Sequence, residues 1–316
     1  MKNQLYSIVL LSYFSEKRLE SVYNEVKLNF EKENIPFEFI IIDDGSKDQS
    51  FEKALELEKK YTNIRAYQLS KNYNSQYAKF AGFSLAKGNC VTSMPDDGQV
   101  PIEVYIKMYR LWQEGEKIII PYRTDRSDGF ISDILSKSYY KVMNYLSEVK
   151  FPPGGADIFT IDREVLDIIN EKIHPINTSM IVEVLRLGFD PYYFGFDRPK
   201  NKYCKSRWTM KKKIRLAKDT FFSSSSFPIK FITTMGITSF ILSLLLILFS
   251  IWYKIFGSKY IAGFSIPGWT TTLIFISMFS GLILLSLGII SEYIWRIYEE
   301  VKDRPGYIIK QKEDQR

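Results

Sequence analysis

Two stretches of this 316-residue chain carry no charge: Phe231–Tyr253, "FITTMGITSFILSLLLILFSIWY", for 23 residues, and Ile261–Ser291 for 31. A bilayer core of ~30 Å is crossed by ~20 helical residues rising ~1.5 Å each, so both stretches are long enough to span it. Helices of a soluble core seldom run so far without a polar face. The chain is therefore expected to divide. Up to about residue 226 apolar residues come in short blocks broken by charges, and the membrane part lies behind that point.

Basic residues set the orientation. Nine Lys or Arg fall between Lys200 and Lys218, and Arg296, Lys302, Arg304, Lys310 and Lys312 follow the second run. The stretch between the runs offers only Lys254 and Lys259. The positive-inside rule then places both termini and the large domain in the cytoplasm, in a multi-pass protein of the inner (cell) membrane. The net charge of +7 is thus mostly a membrane signal, and a basic cluster abutting a span does not imply nucleic acid as a partner. Met210, Ile214, Ala217 and Phe221 recur at 4, 3, 4 spacing among Lys211, Lys212, Lys213 and Arg215, as in an amphipathic helix lying on anionic headgroups.

The segment "MKNQLYSIVLLSYFSEKRLE" has too short an apolar stretch for a signal peptide and reads as a first strand. Cys90 and Cys204 lack metal-ligand spacing and suit a reducing compartment, and His174 is the only histidine, so no histidine-based metal site is available. The expected organisation is a catalytic domain over 1–207, a juxtamembrane helix over 208–226, spans at about 229–253 and 267–291 within 227–296, and a cytoplasmic tail over 297–316.

In the soluble part, strands are expected at Ser7–Tyr13, Phe37–Asp43, Ile64–Leu69, Cys90–Met94 and Lys117–Tyr122. Helical patterns separate them, at Glu16–Lys32, Gln49–Lys60, Ser75–Lys87 and Ile102–Glu114. This alternation implies an α/β fold with a mainly parallel sheet covered by helices on both faces. Such sheets bind ligands beyond the carboxyl ends of their strands. Two acidic clusters fall at such ends: "IIDDGS" with Asp43 and Asp44, and "MPDDGQVP" with Asp96 and Asp97. No glycine-rich dinucleotide fingerprint or P-loop follows the first strand. Carboxylates at strand ends suit a hard cation such as Mg²⁺ or Mn²⁺ that bridges to a substrate's phosphates, although Asp-Gly is also ordinary turn chemistry.

Taken together, "SIVLLSY", "IIDDGSKDQS", "LSKNYNSQYAKFAG", "MPDDGQVPIE", "GGADIFTIDREV", "KSRWT" and "SEYIWRIYEEVKDRPGYII" resemble the polyprenyl-phosphate glycosyltransferases of family 2. These are dolichol-phosphate-mannose-synthase-like enzymes with a GT-A fold, here of the bacterial type with two transmembrane helices. The resemblance covers nearly the whole chain. It implies inverting transfer of a sugar from a nucleotide diphosphate sugar to undecaprenyl or another polyprenyl phosphate, assisted by a divalent metal. Tyr13, Asp43, Asp44, Lys71, Asp96 and Asp97 would bind the nucleotide sugar. A homo-oligomer, and a flippase or downstream transferase receiving the product, are partners compatible with this reading.

This sequence departs from the family pattern at two places. Leu11, Phe14 and Ser15 stand where the family has a proline and then Asn-Glu around its tyrosine. Gln99 and Pro101 fix the register so that the first aspartate of the metal motif falls on Pro95, the second on Asp97, and Asp96 takes the variable middle position. Alternate side chains of an extended strand share a face, so Asp97 is expected as the principal metal ligand with Gln99 beside it and Asp96 in support.

The chemistry sets a phosphate against a diphosphate leaving group, and the repulsion calls for a cation and for arginine or lysine clamps. Arg123 and Arg126 follow the fifth strand; Arg198, Lys205 and Arg207 lie just before the membrane, where a lipid phosphate would arrive. Arg123 and Arg198 are expected to take part in catalysis as well as in phosphate binding. The resemblance offers Asp157 as a catalytic base, but a phosphate monoester with a second pKa of ~6 is already largely deprotonated, so Asp157 is expected to orient acceptor or sugar. Two rival readings stay open. A processive polysaccharide synthase would normally have Gln where Cys204 begins "CKSRW", and more spans. A catalytically dead nucleotide-sugar-binding scaffold is kept open by Pro95.

Overall fold

In the computed structural model the described residues are 4–124, 141, 143–147, 149–152, 158–197, 225, 227–256 and 268–310. They form two compact units, the first built from 1–224 together with 305–316 and the second from 225–304. Residues 305–310 thus belong to the same compact unit as residues 4–124.

The first unit is laid out as β1 (Tyr6–Ser12), α1 (Leu19–Lys32), β2 (Phe37–Asp43), α2 (Ser50–Lys60), β3 (Ile64–Gln68), α3 (Ser75–Leu85), β4 (Cys90–Pro95), α4 (Ile102–Gln113), β5 (Ile118–Arg123), β6 (Thr160–Asp162), α5 (Arg163–Lys172), α6 (Met180–Arg186) and β7 (Tyr192–Phe196). The strands make one sheet in the order β3-β2-β1-β4-β6-β5-β7. β6 runs antiparallel to both of its neighbours and the other pairings are parallel.

Parallel strands must be joined by crossovers, and the helices that make them bury both faces of the sheet. The central strands are correspondingly apolar on both sides. Ile8 and Leu10 of β1 point into a core with α1, α2 and α4, while Val9 joins Ile40 and Ile42 in a second core against α3, α5 and α6. All five of these side chains are fully buried, each contributing about 1.5–3 kcal/mol by leaving water.

The five sequence-predicted strands are present, with no end shifted by more than one residue. β6 escaped the sequence reading because its three residues are too short to show a period of two, and α5, α6 and β7 lie after Tyr122, where no further element was expected. α1 also starts later than expected, at Leu19, which leaves Tyr13–Arg18 as a loop beside the acidic clusters.

The second unit contains two helices, α7 (Phe227–Phe256) and α8 (Gly268–Val301). Among the described residues one segment, Met278–Val301, is long and apolar enough to cross a membrane. α8 also runs ten residues beyond the expected end at 291, and Arg296 reaches back to Glu292 at 3.3 Å on the same helix face.

Candidate functional site

The parallel strands end on one edge of the sheet. β2 ends at Asp43, β4 ends at Pro95 just before Asp96 and Asp97, and β5 ends at Arg123. One strand separates β4 from each of the other two, so the ends of β2 and β5 lie about 10 Å to either side of it. Topology therefore gathers Asp43, Asp44, Asp96, Asp97 and Arg123 on one rim.

The first cluster works as a turn. Asp43 is fully buried; its carboxylate accepts from the Ser46 hydroxyl at 2.5 Å, the Ser46 amide at 3.0 Å and the Gln68 side-chain amide at 2.9 Å. Burial raises the Asp43 carboxyl above its ordinary pKa, and those three bonds, which favour the charged form, oppose the rise. Asp44 accepts the backbone amides of Tyr73 at 2.7 Å and Asn74 at 3.0 Å, tying the turn to the loop that opens α3. Lys71 is exposed in that loop, its ammonium 5.0 Å from the centre of the Tyr73 ring.

Gly45 makes this close approach possible. Its φ is +65°, and a Cβ there would lie 2.5 Å from the carbonyl carbon of Lys71. Gly45→Ala is expected to cost about 2–4 kcal/mol, from the left-handed backbone and the clash together, read as a lowered thermal midpoint. A midpoint equal to that of wild type would mean that the two loops are not in contact.

The Tyr13–Arg18 loop joins the two acidic clusters. Tyr13 is half-buried, with its ring edge-on to Phe14 at 4.6 Å. The Phe14 amide donates to the Ser46 hydroxyl at 3.0 Å, while the Ser15 hydroxyl donates to Asp96. Arg18 places its guanidinium 2.5 Å from the same Asp96 oxygen, both side chains nearly buried. Asp96 is therefore committed on that oxygen to a cation supplied by the protein. Ser15 and Arg18 were missed in the sequence because the pairing spans 78 residues and Arg18 sat inside an expected helix.

Asp97 lies in a turn, with Gly98 at φ +61°, so the extended-strand alternation expected from the sequence does not apply. Gln99 comes beside it another way: its backbone amide donates to Asp97 Oδ1 at 3.1 Å, an Asx turn. The Gln99 side-chain oxygen is buried, with no hydrogen-bond partner among the described residues. A buried, unpaired amide oxygen is costly unless a ligand completes it, and it fits a hard cation. Among the described residues no group of three His, Cys, Asp or Glu could hold a metal, so a cation here would take its remaining ligands from phosphate oxygens and water. The Tyr105 hydroxyl on α4 is likewise buried and unpaired, its ionisation pushed well upward by burial and then by the Asp97 charge.

Arg123 is half-buried and pairs with Phe196 of β7 in the sheet register. Arg126, Asp157, Arg198, Lys205, Arg207 and the 208–226 segment lie outside the described residues.

A mainly parallel sheet that gathers carboxylates and an arginine on one rim presents a ligand site beyond the carboxyl ends of its strands. Residues 7–167 match the description "Glycosyl transferase family 2", and the chain belongs to that family and has its GT-A fold. An uncharacterised glycosyltransferase of Synechocystis sp. is 30% identical over 305 residues, covering 96% of this chain and 94% of that one. A putative glycosyltransferase of Bacillus subtilis is 29% identical, with 98% and 93% covered. The bactoprenol glucosyl transferase of Shigella phage SfII is 29% identical, with 96% and 97% covered.

Proposed function

We propose that this glycosyltransferase moves a sugar from a nucleoside diphosphate sugar to the phosphate of a membrane polyprenol, with inversion at the sugar carbon. The observation that carries the reading is the Asp97–Gln99 turn, with its unpaired buried oxygen, on the rim it shares with Asp44 and Arg123. A phosphate oxygen of the acceptor attacks the anomeric carbon, the bond from that carbon to the donor's terminal phosphate breaks, and the nucleoside diphosphate leaves. A divalent cation held by Asp97 and Gln99 would neutralise charge growing on that leaving group. Asp96 holds Arg18 in the wall of the site, and Arg123 offers a planar fork to phosphate oxygens. Asp157 orients acceptor or sugar, and Arg126, Arg198, Lys205 and Arg207 receive the lipid phosphate.

The acceptor and the membrane setting rest on three supports: the charge-free runs 231–253 and 261–291, read as two spans; the basic 200–218 segment; and near full-length similarity to a protein called a bactoprenol glucosyl transferase. Membranes containing the protein, incubated with labelled nucleotide sugars, Mg²⁺ or Mn²⁺ and undecaprenyl phosphate, are expected to yield a chloroform-soluble labelled product. A nucleoside diphosphate glucose is the first donor to try, on that relative's name. An insoluble polymer would point to a processive synthase, and no product with any donor or metal would leave a nucleotide-sugar-binding scaffold.

A further inference from the structure

After α8 the chain returns to the sheet edge. Ile309 pairs antiparallel with Leu69, just past the end of β3. The Ser70 amide donates to the Ile308 carbonyl and the Lys310 amide to the Gln68 carbonyl, both at 2.8 Å. The approach is fitted closely. A Cβ on Gly306 would lie 2.6 Å from Pro175 and 3.0 Å from Tyr77, and the Tyr307 hydroxyl donates to Ser84 on α3 at 3.2 Å. Tyr307 and Ile309 pack against the core under α3.

The side chains extend this contact to the site. Lys310 Nζ donates to Gln68 Oε1 at 2.9 Å, and Gln68 Nε2 donates to Asp43 Oδ2 at 2.9 Å. An ammonium can only donate and a carboxylate only accept, so the two partners together fix which way the Gln68 amide faces. Asp43 in turn holds Ser46, and Asp44 holds Tyr73 and Asn74. The 70–74 loop is thus anchored at one end by Ile308 and at the other by Asp44.

We propose that Tyr307–Lys310 is a positioning strand for the donor site, in which Lys310 sets Gln68 and Gln68 sets the Asp43 turn and the loop facing it. The inference rests on reading this rim as the donor site. It makes Gln68 and Lys310 positioning residues for a reaction they do not touch, and it gives the segment behind α8 a role in donor affinity.

The test uses the full chain in detergent. Lys310→Met keeps the backbone pairing and the stem of the side chain but loses the donor to Gln68. It is expected to raise the KM for the donor sugar nucleotide about tenfold with kcat and thermal midpoint unchanged, and Lys310→Arg is expected to restore it. Hydrogen exchange at the Ser46 amide should also quicken severalfold in Lys310→Met, with protection at Ser70 retained. An unchanged donor KM with unchanged Ser46 exchange would overturn the proposal, as would a fall in midpoint that Lys310→Arg repeats. If the wild-type protein transfers no sugar, it is the donor reading that has failed, and exchange at Ser46 by itself decides whether the strand positions the turn.

Discussion

Replacing Asp97 by asparagine is expected to lower sugar transfer by about 10²–10³-fold, a loss of roughly 3–4 kcal/mol of transition-state stabilisation, while the thermal midpoint stays within a degree or two. Asparagine keeps an oxygen for the Gln99 amide, so the Asx turn closes as before. What is lost is the charge that the proposed reading assigns to holding a cation. Asp96→Asn should behave differently, because Asp96 is engaged by Ser15 and Arg18. It should weaken that corner of the fold and reduce transfer less than Asp97→Asn does. The comparison separates the two neighbouring carboxylates by role. Near wild-type transfer by Asp97→Asn, with metal dependence intact, would dismiss Asp97 as the principal ligand.

The second large effect lies at the opposite end of the sheet. Glu38 on β2 is nearly buried; it accepts from the Ser7 hydroxyl at 2.6 Å, the Lys87 amide at 2.6 Å and the Gly88 amide at 3.1 Å, and it pairs with Arg65 at 2.6 Å. Glu38→Ala takes the carboxylate from the Arg65 guanidinium, the Ser7 hydroxyl and the Lys87 amide, while the Gly88 amide keeps Ser7 Oγ at 2.8 Å and Arg65 keeps the Leu85 carbonyl at 2.7 Å. The expected cost is about 3–5 kcal/mol. The thermal midpoint should fall by roughly 10 °C in a unit of this size, with the donor KM unchanged because Glu38 stands at the amino ends of the strands. Glu38→Met combined with Arg65→Met should recover much of the loss, since it removes both charges together. A single-variant midpoint close to wild type would show that the cluster adds little.

The alternation of apolar strands with amphipathic helices was legible in the sequence because β1, β2 and β5 carry runs of Ile, Val and Leu buried on both faces. The acidic clusters could be placed at strand ends for the same reason: in a parallel sheet, where a run stops is where the ligand-facing rim begins. β6 was not legible, since three residues between longer strands leave no periodic trace. Nor was the Asp97 turn, where Gly98 leaves the extended region and backbone geometry replaces alternation.

The sequence by itself therefore determined the α/β class, the rim that bears the acids, and the charge-free runs behind it, all of which follow from local periodicity and composition. Only the tertiary structure decided the partners. Asp96 belongs to Arg18, Asp43 to Gln68, and Gln68 to Lys310 across 242 residues of chain. Such pairings are set by how strands stack side by side in the sheet, and side-chain chemistry at a given position does not encode which distant residue the fold will bring opposite it.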